Sequence, residues 1–380
     1  MKILVVAPFD SLHGKRWAER LENLGHDVLG LDITHSSSRQ VINNLEIFSI
    51  PDSKYDLFPL VSYLGKIFRT RKMIREIEIN YRPDVISLNW LYHPISLAVS
   101  LFSTRPIIAT PWGSDLLIPN LKASDIIRKS GHCFQIRKLI SKCSFFTCDA
   151  EHMKEALVRF GAKPQLVELI YFGVDVNEFN SSKRSNLFRS KYLTEDRDIL
   201  ILSNRQLAQV YRIDVLLKAI SLVEFKIKNR LVLLIASDGP ERKSLQNLCN
   251  DLGIASFVHF LGRLSDEEMF KSVASADIYV SSSPTDGGIA SSVAEAMASS
   301  IAVITTDFGD NPKWVSDTGA GLTYSENNEL ALRDAISKVA LDELLRESMG
   351  ERGRNKILRD NNAITETKKL DAIFKKFAIF

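Results

Sequence analysis

Four cysteines, Cys133, Cys143, Cys148 and Cys249, are all the thiols among 380 residues, and no two of them stand at a metal-ligand spacing. Neither a disulfide framework nor a structural zinc site is read from them; reduced thiols in a cytoplasm are expected. No Gly-x-Gly-x-x-Gly is present, so the dinucleotide fingerprint is missing. Long apolar runs are missing too. The longest, residues 85–102, is interrupted by Asn89, His93 and Pro94 and reads as a strand followed by a helix, not a membrane span. The opening Met-Lys-Ile-Leu-Val-Val-Ala-Pro meets Asp10 too early for a signal-peptide core. There is no internal repeat, low-complexity segment or heptad array. Net charge is small at +3. Residues 1–170 hold 22 Lys/Arg against 17 Asp/Glu, and the remainder 27 against 29. That imbalance does not argue for nucleic acid, but it suits an anionic acceptor or membrane surface near the first half.

What is present is ordinary globular composition, 45% hydrophobic and 25% charged, over a length that suggests about two domains. Residues 2–7 read as a buried parallel strand, residues 8–14 as its exit loop, residues 16–24 as a helix ending at Gly25, and residues 27–32 as a second strand. This βαβ opening predicts a doubly wound domain with ligands beyond the strand C-termini. Its exit loop offers His13, Gly14 and Lys15. Residues 57–79 and 121–142 are helical patterns studded with Lys66, Arg69, Arg71, Lys72, Arg75, Lys122, Arg128, Lys129, Arg137, Lys138 and Lys142. They read as solvated outer faces or as a basic face toward a membrane. Residues 106–110 form another strand, before Pro111-Trp112-Gly113-Ser114-Asp115; Asp115 reads as a cap for a helix at Leu116 or as a ligand for a hydroxyl.

The second half starts with a strand at 199–203, then Arg205, then a helix start at Tyr211-Arg212. Asp196-Arg197-Asp198 formally matches Asp-x-Asp, but its place in a polar linker argues for chance. Ser265 to Glu268 reads as a capping box. The most informative stretch is residues 276–307. A buried strand opens into Ser281-Ser-Ser-Pro-Thr-Asp-Gly-Gly-Ile-Ala-Ser291, then a helix of small residues, then a second strand. Free backbone N–H groups at that helix N-terminus can bind an anion. With Asp286 in the loop and Glu295 in the helix, the stretch suits a phosphate flanked by polyhydroxylated groups.

Glu295-Ala296-Met297-Ala298, preceded by an acidic residue in the loop, resembles the signature of retaining GT-B glycosyltransferases of family 4. Asp286 is one position further from Glu295 than in that signature, and Gly287 stands in the usual acidic place. Trp112 likewise replaces the family's His, and Tyr211 its diphosphate-binding Lys. The segment from residue 169 through Asp175 to Phe179 and the Gly309-to-Pro312 step also resemble the family. The resemblance implies an α/β GT-B fold, with two doubly wound Rossmann-like domains facing a cleft. Its expected parts are 1–172 on the acceptor side, 173–360 for the nucleotide sugar, and a C-terminal helix at 361–380 crossing back.

It implies a sugar moved from a UDP- or GDP-sugar to a glycan or lipid-linked acceptor, in bacterial surface polysaccharide assembly. Arg205 and Arg212 would hold the diphosphate, backbone at Gly262 the base, and Glu295 the ribose. Asp286 and the backbone of Gly287, Gly288, Ile289, Ala290 and Ser291 would hold the sugar. Asp115 joins Asp286 as a catalytic candidate; His13, Gly14 and Lys15 line the acceptor side. No cofactor and no metal are expected, because cations and N–H groups supply the positive charge. The enzyme is expected in the cytoplasm, at the inner face of the membrane. Two rival readings are a GT-B nucleotide-sugar epimerase, with His13 and Asp115 as acid/base groups, and a weakly catalytic, transferase-like binding partner.

Overall fold

The computed structural model describes residues 1–34, 39–42, 45–50, 59–113, 115–117, 126–194, 198–284 and 288–378. The chain divides into two compact units, Met1–Phe172 with Thr365–Phe380, and Gly173–Ile364.

In the first unit an eight-stranded sheet has the order β3-β4-β2-β1-β5-β6-β7-β8. The strands are β1 Lys2–Ala7, β2 Asp27–Asp32, β3 Arg39–Ile42, β4 Leu45–Ser49, β5 Val85–Asn89, β6 Ile107–Thr110, β7 Phe145–Cys148 and β8 Val167–Leu169. Every pairing is parallel except that of the edge strand β3 with β4. β1 shows why its sequence is apolar throughout. Leu4 and Val6 pack on one face, among Ile74, Ile77 and Ile95; Ile3, Val5 and Ala7 pack on the other, among Trp17, Leu21 and Phe374. A parallel strand covered on both sides has no polar face to show. The chain runs from β1 out to β2, β4 and β3, then returns across β1 to β5. β3 and β4 carry no strong apolar pattern, so the sequence does not announce them. Residues 85–102 are β5 and the helix Pro94–Phe102.

From Thr365 onward the chain belongs to this first unit. Leu370, Ile373 and Phe374 of the helix Ala363–Phe377 enter the Ile3/Val5 face of the core. Buried Glu366 accepts the Tyr171 N–H at 2.9 Å, and Asp371 meets His26 at 2.9 Å.

The second unit carries β9 Ile199–Ser203, β10 Leu231–Ile235, β11 Val258–Phe260, β12 Ile278–Ser281, β13 Ala302–Thr306 and β14 Gly321–Tyr324. Their order is β11-β10-β9-β12-β13-β14, all parallel. Here too the chain works outward from the first strand, β9, and then reverses to β12. That reversal is the topological switch point of a doubly wound sheet, where ligands bind beyond the strand C-termini. The polar segment before β9 is fastened to the sheet by Arg184 and Arg189, each 2.9 Å from Asp277. The capping box from Ser265 to Glu268 is present. No described helix is long and apolar enough to cross a membrane.

Candidate functional site

The switch point of the second unit lies between β9 and β12, so the loops leaving these two strands meet there. The loop after β12 feeds the helix Ser291–Ala298. Five of its eight residues, Val293, Ala294, Ala296, Met297 and Ala298, are buried. Ser291, Ser292 and Glu295 are the half-buried ones. Spacings of three and four place them on one helical stripe. The loop after β9 brings Arg205 to that stripe, with its guanidinium 3.4 Å from the Ser292 hydroxyl. Arg205 also stacks on Tyr211, with its Cζ 4.5 Å from the ring centroid. Thus the residue in place of the family's Lys supports the remaining cation instead of supplying a second one.

Arg212 is placed differently. It takes a left-handed backbone (φ 51°) as the helix Ile213–Ser221 begins. Its guanidinium is bound to Asp214 at 3.1 Å and to Asn327. Asp214 and the nearby glutamates raise its pKa further. The expectation of Arg212 as a phosphate cation therefore meets a guanidinium already neutralised by its own carboxylate. Nothing in the local sequence separates this from a free arginine except Asp214 two residues on.

The loops around Arg205 are braced. Gly239 passes so close to the first loop that a Cβ there would fall 2.4 Å from the Leu207 carbonyl oxygen, and the Leu207 N–H donates to Asp238 at 3.2 Å. The Ser282 hydroxyl donates to the Tyr211 carbonyl at 3.0 Å. Thr306 donates to the Ser283 carbonyl at 2.6 Å, and Asn311 donates to the Thr306 carbonyl at 3.0 Å. Gly262 follows β11 with φ 76°. Gly288 and Ala290 are buried and Ile289 is half-buried. Asp286 and Gly287 lie outside the described residues. Of the Asp-x-Asp triplet only Asp198 is described; it pairs with Arg230 at 2.7 Å.

The first unit has its own switch point, between β1 and β5. The loop after β1 carries His13 at the start of the helix Leu12–Asn23. Gly14 is buried against it, where a Cβ would fall 2.4 Å from the Pro8 carbonyl oxygen, and Lys15 is half-buried. Burial, then Arg16 and Arg20, lowers the His13 pKa to about 4, so the imidazole is neutral at pH 7. Its ring lies 4.9 Å from Phe172 and 6.1 Å from Trp112. Trp112 is edge-to-face with Trp90 at 6.2 Å and with Phe172 at 5.9 Å.

Asp115 is 1% exposed. One carboxylate oxygen accepts the Leu91 N–H at 2.6 Å and the other the Trp112 N–H at 2.8 Å. Burial pushes its pKa up to about 6, against the pull of those backbone bonds. Both oxygens are thus engaged, and Asp115 ties the loop after β5 to the loop after β6. This is neither the cap of a helix at Leu116 nor an open catalytic carboxylate. The ring cluster is not legible as a unit in the sequence, because its members are scattered from residue 13 to residue 172. The signal that was there is a tryptophan directly after two strands, Trp90 and Trp112.

A family model described as Glycosyltransferase Family 4 matches residues 13–178, and one described as Glycosyl transferases group 1 matches residues 185–356. Among curated relatives, an uncharacterized glycosyltransferase of Methanocaldococcus jannaschii is 22% identical over 245 residues, 63% of this chain and 61% of that one. A GDP-mannose-dependent alpha-(1-6)-phosphatidylinositol monomannoside mannosyltransferase of Mycobacterium tuberculosis is 26% identical over 48% of this chain and 49% of its own. The chain therefore spans less than two thirds of the length of either. Among solved structures, Anabaena HepE in complex with UDP aligns over 99% of this chain and 100% of its own, with a TM-score of 0.79 at 14% identity.

Proposed function

Because the chain belongs to the group 1 glycosyltransferases of the GT-B fold, we propose that it moves a sugar from a nucleoside-diphosphate sugar to a glycan or lipid-linked acceptor, with retention of anomeric configuration. The observation that carries this reading is Arg205, held on Tyr211 and aimed at Ser292 where the helix Ser291–Ala298 begins. A forked guanidinium beside free backbone N–H groups suits a diphosphate in its bound state, and more so as a leaving group gathering charge. Glu295, one turn further on the same stripe, is assigned to the ribose hydroxyls. Backbone from Gly287 to Ser291 and Asp286 are assigned to the transferred sugar, and Gly262 to the base. UDP bound in Anabaena HepE and the GDP-mannose dependence of the mycobacterial relative support a UDP- or GDP-sugar donor.

A membrane-facing role, in the assembly of bacterial surface polysaccharide, fits the first unit's outer helices. Arg71, Lys72 and Arg75 are exposed with Leu64 and Phe68 on the helix Pro59–Asn80; Arg137 and Lys138 are exposed with Phe134 on the helix Ile126–Ile140. A bond of 2.7 Å from Tyr63 to Gln135 joins the two helices. Flotation with acidic vesicles should weaken steeply with salt, and more so after Arg71, Lys72 and Arg75 are changed to Gln; equal flotation removes the membrane part.

The commitment of Asp115 to two backbone N–H groups leaves the epimerase reading without its acid/base partner for His13. The commitment of Arg212 to Asp214 favours, as a second reading, a transferase-like protein that binds donor but turns over weakly. Thermal stabilisation by a panel of UDP-, GDP- and ADP-sugars tests the donor; a ligand at 100 times its Kd adds about 2.7 kcal/mol. Slow sugar release without acceptor supports transfer, and binding without release supports the second reading. Glu295→Gln should weaken the active donor by about one to two powers of ten, as loss of charge-assisted bonds of about 1.5–3 kcal/mol requires. Wild-type binding in that variant refutes the assignment of this helix.

A further inference from the structure

We infer that Trp90, Trp112 and Phe172 form a stacking platform at the first unit's switch point for an uncharged pyranose ring, the acceptor sugar of the transfer proposed above, on which this inference rests. Large aromatic side chains usually bury their rings. Trp17 does so: it is 5% exposed and its indole N–H donates to Ser87 at 3.3 Å. Trp90, Trp112 and Phe172 remain only half-buried, although they pack edge-to-face on one another. They lie beside the C-terminal ends of β1, β5 and β6, where a doubly wound sheet takes its ligands.

The platform is held rigidly. Asp115 fixes the backbone of Leu91 and Trp112 from below. Trp90 is kept at φ 70°, a left-handed conformation that bulky residues avoid. Its N–H is held by the Thr110 carbonyl at 3.2 Å, and its own carbonyl by the Ser96 hydroxyl at 2.7 Å. Strain of this kind persists where the surroundings over-determine it, and it clusters at ligand sites.

The chemistry around the rings selects a neutral, hydroxylated occupant. A pyranose presents a face of C–H groups, weakly positive, which matches the negative face of an indole. Its rim of hydroxyls needs groups that both donate and accept. A neutral His13 does both. The indole N–H of Trp112 is buried, and no described residue accepts it. The one carboxylate here, Asp115, is engaged by backbone, and Arg20 is bound to the Phe172 carbonyl. An alkyl chain would match the rings but leave these polar groups unanswered.

The test uses the full chain and saturation-transfer NMR. The probes are methyl α-glucoside, methyl α-mannoside, methyl α-galactoside and methyl N-acetyl-α-glucosaminide, with hexan-1-ol as the alkyl rival. At least one glycoside should receive saturation at its ring C–H protons. Trp112→Leu, which keeps apolar volume but no π face, should weaken that glycoside about tenfold, and Trp112→Phe should retain part of the binding. Nucleotide-induced thermal stabilisation, measured in the same variants, reports folding and the donor site. If the nucleotide sugars fail to bind the wild type, the glycosyl-transfer reading itself falls. If they bind and no glycoside is contacted, if Trp112→Leu matches wild type, or if hexan-1-ol displaces the glycoside, the platform alone is refuted.

Discussion

The two sheets solve one topological problem with opposite chemistry. Each places its first strand inside the sheet and opens a switch point beside it, between β1 and β5 in one unit and between β9 and β12 in the other. The first is lined by rings: His13, Trp90, Trp112 and Phe172, over a carboxylate turned inward to backbone. The second is lined by small and hydroxylated residues, Ser291 and Ser292, beside one guanidinium. Rings over a neutral imidazole suit an uncharged partner; a cation at open N–H groups suits an anion. Topology therefore says where each unit binds, and side chains say what.

The largest expected effect falls on the ring-lined side. Asp115→Ala strands two backbone N–H groups in a buried place, so the first unit should lose about 2–4 kcal/mol in urea denaturation, while nucleotide binding by the folded protein stays intact. A parallel loss of nucleotide affinity would break the division of labour. Asp115→Asn retains one acceptor and should lose about half as much.

Next comes a pH window. The pKa of His13 is lowered from 6.5 to about 4, so the unfolded chain binds more protons between those values. Its contribution to stability is full above pH 6.5 and declines as the pH falls toward 4, by about 2–3 kcal/mol at pH 4.5. His93 is lowered to about 4 as well and is common to both proteins in the comparison. His13→Gln should remove only the His13 part of the slope between pH 7 and 4.5; an unchanged slope would show that the ring cluster does not hold this imidazole neutral.

On the anion side, Arg205→Ala should weaken UDP or GDP about 10- to 100-fold by calorimetry, the range of a charge-assisted contact of about 1.5–3 kcal/mol. Arg205→Lys should not restore it, because the fork and the stack on Tyr211 are lost. The smallest effect sharpens the contrast. Arg212→Ala should change nucleotide affinity by less than about threefold and stability by about 0–1 kcal/mol, as a half-exposed ion pair does. A large loss of nucleotide affinity would return Arg212 to the phosphate site.

Much of this was legible beforehand. The apolar strands β1, β9 and β12 and the helix of small residues announce themselves, because a buried parallel strand or a tightly packed helix leaves few residue choices. The capping box at Ser265 is local and was equally plain. Edge strands β3 and β4 were not, since one covered face imposes little pattern. Arg205 was identifiable from its place after β9, whereas the fate of Arg212 depended on which way a left-handed residue turned its side chain.

The sequence by itself determined two doubly wound α/β units, the family, and the loops from which ligands are held, because these follow from strand periodicity and short local motifs. Only the tertiary structure decided that Asp115 faces inward to Leu91 and Trp112, that Tyr211 supports Arg205, and that residues from 13 to 172 gather into one ring cluster. Those contacts join residues far apart in the chain, and their partners are chosen by the packing of whole strands and loops, which no local pattern encodes.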